Sequence, residues 1–159
     1  KPSHFKIPYY VIRSKSLPVF AKAIGEAVKK HLVPLLTKTE FYTEPGRIIC
    51  ATAMHIVVRV LDKKTPQKLI ADGGVNISGW EYGEHFYYPL LNLTHPSLKK
   101  EVDCTLYGPL CTPHDIWGYR CYAKKMEEED VILIPNQGAY RYALAQSFIK
   151  EIPQVRFLN

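Results

Sequence analysis

The sequence predicts a mainly β protein, in which a strand and a helix precede a run of short strands that close as a barrel or pack as a sandwich. Three observations carry this. Apolar residues recur at helical spacing across 18–31 (PVFAKAIGEAVKKH). From Thr39 onward, apolar and aromatic runs follow one another, each ended by Gly, Pro or charged residues. The composition, 47% hydrophobic and 23% charged over 159 residues, suits a chain with its own core. A chain of this length can bury roughly 70% of its unfolded surface, so a disordered segment is excluded.

Taken in order, 5–12 (FKIPYYVI) reads as a strand weakened by Pro8. Pro18 suits the first turn of the helix that follows. Val19, Ala23, Ile24, Ala27 and Val28 form one face, Lys22, Glu26, Lys29 and Lys30 the other, and Pro34 ends it. The first 38 residues therefore read as strand–helix. Residues 39–43 lead into a turn at Glu44-Pro45-Gly46. Residues 47–61 (RIICATAMHIVVRVL) read as a long strand or a bent pair, and Asp62 to Pro66 as a polar turn. Strands are then expected at 67–71, 86–93, 102–107, 116–123, 131–134 and 154–158. The apolar runs at 56–61 and 131–134 are too short to cross a bilayer and read as buried strands.

The net charge of +6 permits nucleic acid, anionic lipid or a phosphorylated small molecule as partner and does not choose among them. Lysine pairs at 29–30, 63–64, 99–100 and 124–125 are dispersed over turns and helix ends. The 11 tyrosines follow no RNA-binding aromatic pattern, although aromatics among basic residues on a barrel would suit single strands. Four cysteines (Cys50, Cys104, Cys111, Cys121) are too few for a disulfide framework, so a reduced state and a cytoplasmic setting are expected. No signal peptide is evident. The start at Lys1 without a methionine suggests a trimmed or excised piece.

Five groups of residues bear chemistry. In Glu44-Pro45-Gly46-Arg47 a carboxylate, a bare backbone N–H and a guanidinium share four residues. The glycine admits a ligand to the backbone and the arginine can fork onto a phosphate. An ordinary turn with a surface ion pair accounts for them as well. Gly108-Pro109-Leu110-Cys111-Thr112-Pro113-His114-Asp115 crowds a thiol, a hydroxyl, an imidazole and a carboxylate into a proline-stiffened loop. The thiol could move a proton if its pKa is tuned. Alternatively, Cys111 is a small buried residue and Asp115 bonds the loop backbone. Cys104, Cys111, His114 and Cys121 offer zinc ligands, but without a Cys-x-x-Cys pair. Gly138-Ala139-Tyr140 presents a phenol on a glycine turn, either toward a phosphate oxygen or as a cap on the barrel. Asp72-Gly73-Gly74-Val75-Asn76 marks a tight turn or bulge, followed by the aromatic stretch from Trp80 to Tyr88, where Glu84 and His85 could meet a polar ligand group.

Singly these motifs are weak; their order is informative. Glu-Pro-Gly-Arg, Asp-Gly-Gly, Gly-Pro-x-Cys-x-x-x-Asp, an apolar strand and Gly-Ala-Tyr resemble the fold-type III pyridoxal-phosphate decarboxylases. That family includes the ornithine, diaminopimelate and carboxynorspermidine enzymes. The resemblance runs from about Phe5 to Asn159 and covers only the family's C-terminal portion. It implies that 1–38 are a remnant of an N-terminal (β/α)8 barrel and that 39–159 are a Greek-key-like C-terminal β-barrel domain. It also implies roles. Glu44 would pair with the pyridine nitrogen of pyridoxal 5'-phosphate, keeping the ring an electron sink. Gly46 and Arg47 would hold the phosphate, with Tyr140 adding a hydrogen bond. Cys111 would sit in the partner's active site across a homodimer interface and help reprotonate the product carbon. Asp115 would support that loop on the substrate side, and Glu84 or His85 would lie near the distal end of an amino-acid substrate.

Two departures follow from the same comparison. The lysine that forms the Schiff base belongs to the missing barrel, so this chain alone is expected to be inactive. Thr112 stands where the polyamine-type enzymes usually carry an acid for a distal ammonium. Cys-Thr-Pro-x-Asp looks more like the decarboxylases of siderophore and antibiotic pathways, whose substrates are conjugated or carrier-linked amino acids. No metal and no membrane contact are implied. A racemase is a relative within the fold type, but the cysteine loop favours decarboxylation. A non-catalytic barrel module and a single-stranded nucleic-acid binder are the alternatives from other classes.

Overall fold

The computed structural model describes residues 15–36, 38, 40–79 and 88–158. The expected strand at 5–12, and Glu84 and His85, lie outside the described residues. The chain sorts into two compact units, 1–48 and 49–159.

In the first unit, α1 (Leu17–Ala27) starts at Ser16, whose carbonyl accepts from the N–H of Val19, with Pro18 in the first turn as expected. Helical structure runs on past the alanines as a wider π-type turn, Val28–Leu32, and a 3-10 turn, Val33–Leu35. Pro34 sits inside the 3-10 turn, where it has no N–H to donate back along the helix, and Val33 before it keeps α dihedrals. No residue of α1 is buried, and Val19, Phe20 and Ile24 on its apolar face are 46%, 42% and 50% exposed. Residues 40–45, which lead into the turn at Gly46, are irregular.

The second unit is a closed barrel of six strands: β1 (Ile56–Thr65), β2 (Lys68–Ala71), β3 (Leu90–Asn92), β4 (Pro96–Tyr107), β5 (Ile116–Ala123) and β6 (Val131–Ile134). Their order around the barrel is β1-β2-β4-β5-β3-β6, closing back on β1. β2/β4 and β3/β5 run parallel and the other pairs antiparallel, so the barrel predicted from punctuated strands is the architecture found.

Strand periodicity fills the interior. Ile56, Val58 and Val60 of β1 are buried while Val57, Arg59 and Leu61 point out. Leu69, Leu90, Leu106, Trp117, Ile132 and Ile134 are fully buried in the same cluster. Truncating one of these aliphatic residues to Ala would cost about 2–5 kcal/mol. Around the core runs a buried polar knot. Asp130 accepts from Asn92 Nδ2 (2.7 Å) and from the Glu127 N–H (2.7 Å) and pairs with His95 Nδ1 (2.8 Å).

Four expected elements are corrected. Residues 47–53 form one α-helical turn, α2 (Arg47–Cys50), and a 3-10 turn, Ala51–Ala53, instead of strand. The β1/β6 ladder starts only at Ile56↔Ile134, and the carbonyls of Ala51 and Met54 accept from the N–H groups of Gly138 and Gln137. Asp62 to Thr65 continue β1 rather than turning, because they pair with β2 (Asp62↔Ile70, Lys63↔Leu69, Thr65↔Lys68), and Lys63 Nζ reaches the Met126 carbonyl (2.7 Å) and Glu127 (2.9 Å). β4 begins at Pro96, six residues before the expected strand at 102, through a mostly exposed polar stretch. Residues 154–158 join no ladder among the described residues; Phe157 and Leu158 are 89% and 95% exposed.

Candidate functional site

The first group of candidate side chains lies on the turn at 44–47. Gly46 adopts φ 57° and the chain enters α2 at Arg47. Glu44 and Arg47 are both exposed. This turn offers a carboxylate acceptor, a guanidinium and a flexible backbone within one short span.

In the barrel, the loop between β4 and β5 is organised by Asp115. This carboxylate is buried and accepts from the backbone N–H of Leu110 (2.6 Å) and of Val75 (2.9 Å). Burial pushes its pKa above the ordinary carboxylate value, and the two N–H donors pull part of that back. A Cβ at Gly108 would collide with both carboxylate oxygens, so only glycine leaves room for them. The loop is thus tied to the turn at 72–75. That turn is also gripped by Trp117, whose Nε1 donates to the Gly73 carbonyl (2.7 Å). Cys111 stands exposed on this loop, and Thr112 beside it is half-buried, its carbonyl accepting from the Asp115 N–H (3.2 Å).

The cysteines divide by setting. Cys104 and Cys121 are inside the barrel. Burial first, and Asp103 second, push the Cys104 thiol up to about 12; burial and then Cys104 raise Cys121. Both stay neutral thiols at physiological pH. Among the described residues, no group of three or more His, Cys, Asp or Glu could hold a metal ion. Cys104, Cys111, His114 and Cys121 therefore form no zinc site.

Tyr140 lies on the turn after β6. It takes the left-handed conformation, φ 58°, with its side chain 57% exposed, between buried Ala139 and buried Arg141. Gly138 is required there because its backbone passes against the Cys50 carbonyl, in the space a Cβ would need. Two features had no signal in the sequence. Arg141 is buried, and Asp130, just before β6, meets Asn92 at the end of β3 and His95 in the connection after it.

The structure thus gathers Glu44, Gly46 and Arg47 on one turn, gathers Cys111, Thr112 and Asp115 on one loop, and presents Tyr140 on a third segment. A family model, the C-terminal sheet domain of pyridoxal-dependent decarboxylases, matches residues 10–138. A lysine/ornithine decarboxylase of Selenomonas ruminantium is 31% identical over 140 residues, which is 85% of this chain and 35% of the relative. The L-glutamyl-[BtrI acyl-carrier protein] decarboxylase of Niallia circulans is 26% identical over 148 residues, 86% of this chain and 34% of the relative. The crystal structure of diaminopimelate decarboxylase from Methanocaldococcus jannaschii superposes with a TM-score of 0.69 at 26% identity, covering 88% of this chain and 32% of that one. The chain spans about a third of the length of the curated relatives it matches.

Proposed function

The chain belongs to the pyridoxal-dependent decarboxylases through their C-terminal sheet domain, and from that premise we propose that it is the barrel-bearing part of an amino-acid decarboxylase using pyridoxal 5'-phosphate. The observation that carries the proposal is the turn at 44–47, where a carboxylate and a guanidinium flank a glycine at φ 57°. The donor set fits the cofactor. A carboxylate suits a ring N–H, while a guanidinium, a backbone N–H and a phenol suit a phosphate.

Each residue then has a task at a stated atom. Glu44 accepts the hydrogen bond of the ring N–H and keeps that nitrogen protonated. Arg47 and the Gly46 backbone hold phosphate oxygens, and the Tyr140 hydroxyl donates to the same group. When bound, the protonated ring supplies the electron sink that loss of CO2 requires. The Cys111 thiol delivers a proton to the carbon that has lost its carboxylate, acting in the active site of the second subunit of a homodimer. Asp115 acts through the loop, fixing where Cys111 and Thr112 stand. Glu84 or His85 meets the distal part of the substrate.

The Schiff-base lysine lies outside this chain, so the 159 residues alone do not turn over. Thr112 in place of an acid favours a conjugated or carrier-linked amino acid over a simple diamine precursor. The similarity to a decarboxylase whose name specifies a carrier-protein-linked glutamyl group supports this, and the reaction we assign belongs to siderophore or antibiotic biosynthesis. The setting we assign is cytoplasmic.

The test is CO2 release by the whole protein, offered free amino acids and the same amino acids as thioesters on a carrier protein, with and without pyridoxal phosphate. Cofactor-dependent release, faster from the linked forms, is the expected result. Equal rates with and without cofactor would remove the reaction, and preference for free lysine or ornithine would remove the substrate class.

A further inference from the structure

We propose that Arg141 is a positioning residue for Tyr140: its buried guanidinium, stacked on the Tyr88 ring, holds the turn that aims the Tyr140 phenol at the cofactor phosphate. This rests on the phosphate contact assigned to Tyr140 above.

Tyr140 sits at φ 58°, a region that is strained for a non-glycine residue and persists only where the surroundings impose it. Tyr140 is 57% exposed, while the residues on either side of it are held inside. Ala139 is 1% exposed and Arg141 4%, so the backbone is pinned on either side of an outward-pointing phenol. The Arg141 guanidinium carbon lies 5.1 Å from the Tyr88 ring centroid, within cation–π range. Tyr88 packs edge-on against Trp117, with centroids 6.0 Å apart and planes at 68°. Trp117 in turn donates to the Gly73 carbonyl. On the far side, the Arg141 carbonyl accepts from the Leu144 N–H (2.9 Å), which fixes the 3-10 turn Tyr142–Leu144.

The cost of burying charge makes this arrangement informative. A guanidinium removed from water carries a penalty that an apolar side chain of similar size would avoid. What the guanidinium adds is orientation: a planar cation fits one pose over the ring, whereas an aliphatic chain fits several. At 4% exposure, Arg141 presents little of itself to an incoming ligand. Its effect on the cofactor passes through Tyr140. The Gly73 end of the same stack belongs to the turn that Asp115 grips through Val75, so the Tyr140 turn and the Cys111 loop are seated on one common segment.

The test is a double-mutant cycle in the whole protein with Tyr140→Phe, Arg141→Met and the pair. It is read as the pyridoxal phosphate Kd by equilibrium dialysis and the melting temperature of the cofactor-free protein. Each single variant is expected to weaken binding about 10-fold, and the pair to bind no worse than Tyr140→Phe alone. Arg141→Lys keeps the charge and is expected to lose about 3-fold, again with no loss in the Tyr140→Phe background. If Arg141→Met does not fold, the cycle is read with Arg141→Lys. Losses that multiply in the pair overturn the positioning role, as does wild-type affinity in both Arg141 variants. Wild-type affinity in Tyr140→Phe overturns instead the phosphate contact on which the role depends.

Discussion

Asp115→Asn isolates the one carboxylate that organises the loop carrying Cys111. The wild-type side chain is 2% exposed and uses both oxygens, one for the Leu110 N–H at 2.6 Å and one for the Val75 N–H at 2.9 Å. Asparagine keeps the shape and one acceptor, and turns its amide donor toward the other N–H. One charge-assisted bond is lost, about 1.5–3 kcal/mol. Relief of the charge's burial cost offsets that loss, but the buried backbone N–H that now faces the amide N–H2 is left without an acceptor, a net loss of about 1–2 kcal/mol at neutral pH. The pH dependence has a definite sign. Because burial raises the folded pKa above the ordinary 3.8, the folded state holds a proton that the unfolded state has released between those two values. Stability from this group therefore falls as pH rises through that window and is level on either side. Urea unfolding of wild type and Asp115→Asn from acid to neutral pH reads this directly. The wild-type advantage should shrink as pH rises through the window and then hold steady. An advantage that grows with pH, or a variant as stable as wild type throughout, would refute the reasoning.

Gly108→Ala places a methyl group where the Asp115 carboxylate lies; urea unfolding should show a loss of about 1–3 kcal/mol, the overpacking range, and cofactor-dependent turnover of the whole protein should fall with it. Glu127 has the opposite pH sign. The hydrogen bond from Lys63 at 2.9 Å is the main cause holding its pKa below the ordinary 4.5, so its contribution is present above 4.5 and is lost as pH falls through the lowered folded value. Glu127→Gln should therefore flatten the acid limb of the wild-type stability profile while leaving the neutral limb's slope unchanged.

Much of the barrel was legible because its strands announce themselves locally. β5 (IWGYRCYA) and β6 (VILI) begin and end where apolar and aromatic residues do. The failures lie where pairing partners, not composition, decide. Ile48 and Ile49 look like strand residues, yet β6 ends opposite Ile56 and leaves them no ladder. The reverse holds for Ser97, Lys99 and Lys100, polar residues that form strand within β4.

The site divides in the same way. The motifs at 44–47, 108–115 and 138–140 are short in sequence and could be read from spacing. Arg141 could not, because a charged residue beside an exposed tyrosine gives no sign that it is buried under a ring 53 positions away. Nor could Asp130 be paired with Asn92 and His95, which approach from 38 and 35 positions away.

The central claim is that Glu44 keeps a cofactor ring protonated while Arg47, on the same turn, holds its phosphate. CO2 release by the whole protein carrying Glu44→Ala, with its thermal midpoint recorded alongside, tests this most directly. Since Glu44 is exposed and supports no core contact, the account predicts an unchanged midpoint and turnover reduced at least ~100-fold, the scale of a lost proton-holding group. Wild-type turnover in that variant would contradict it.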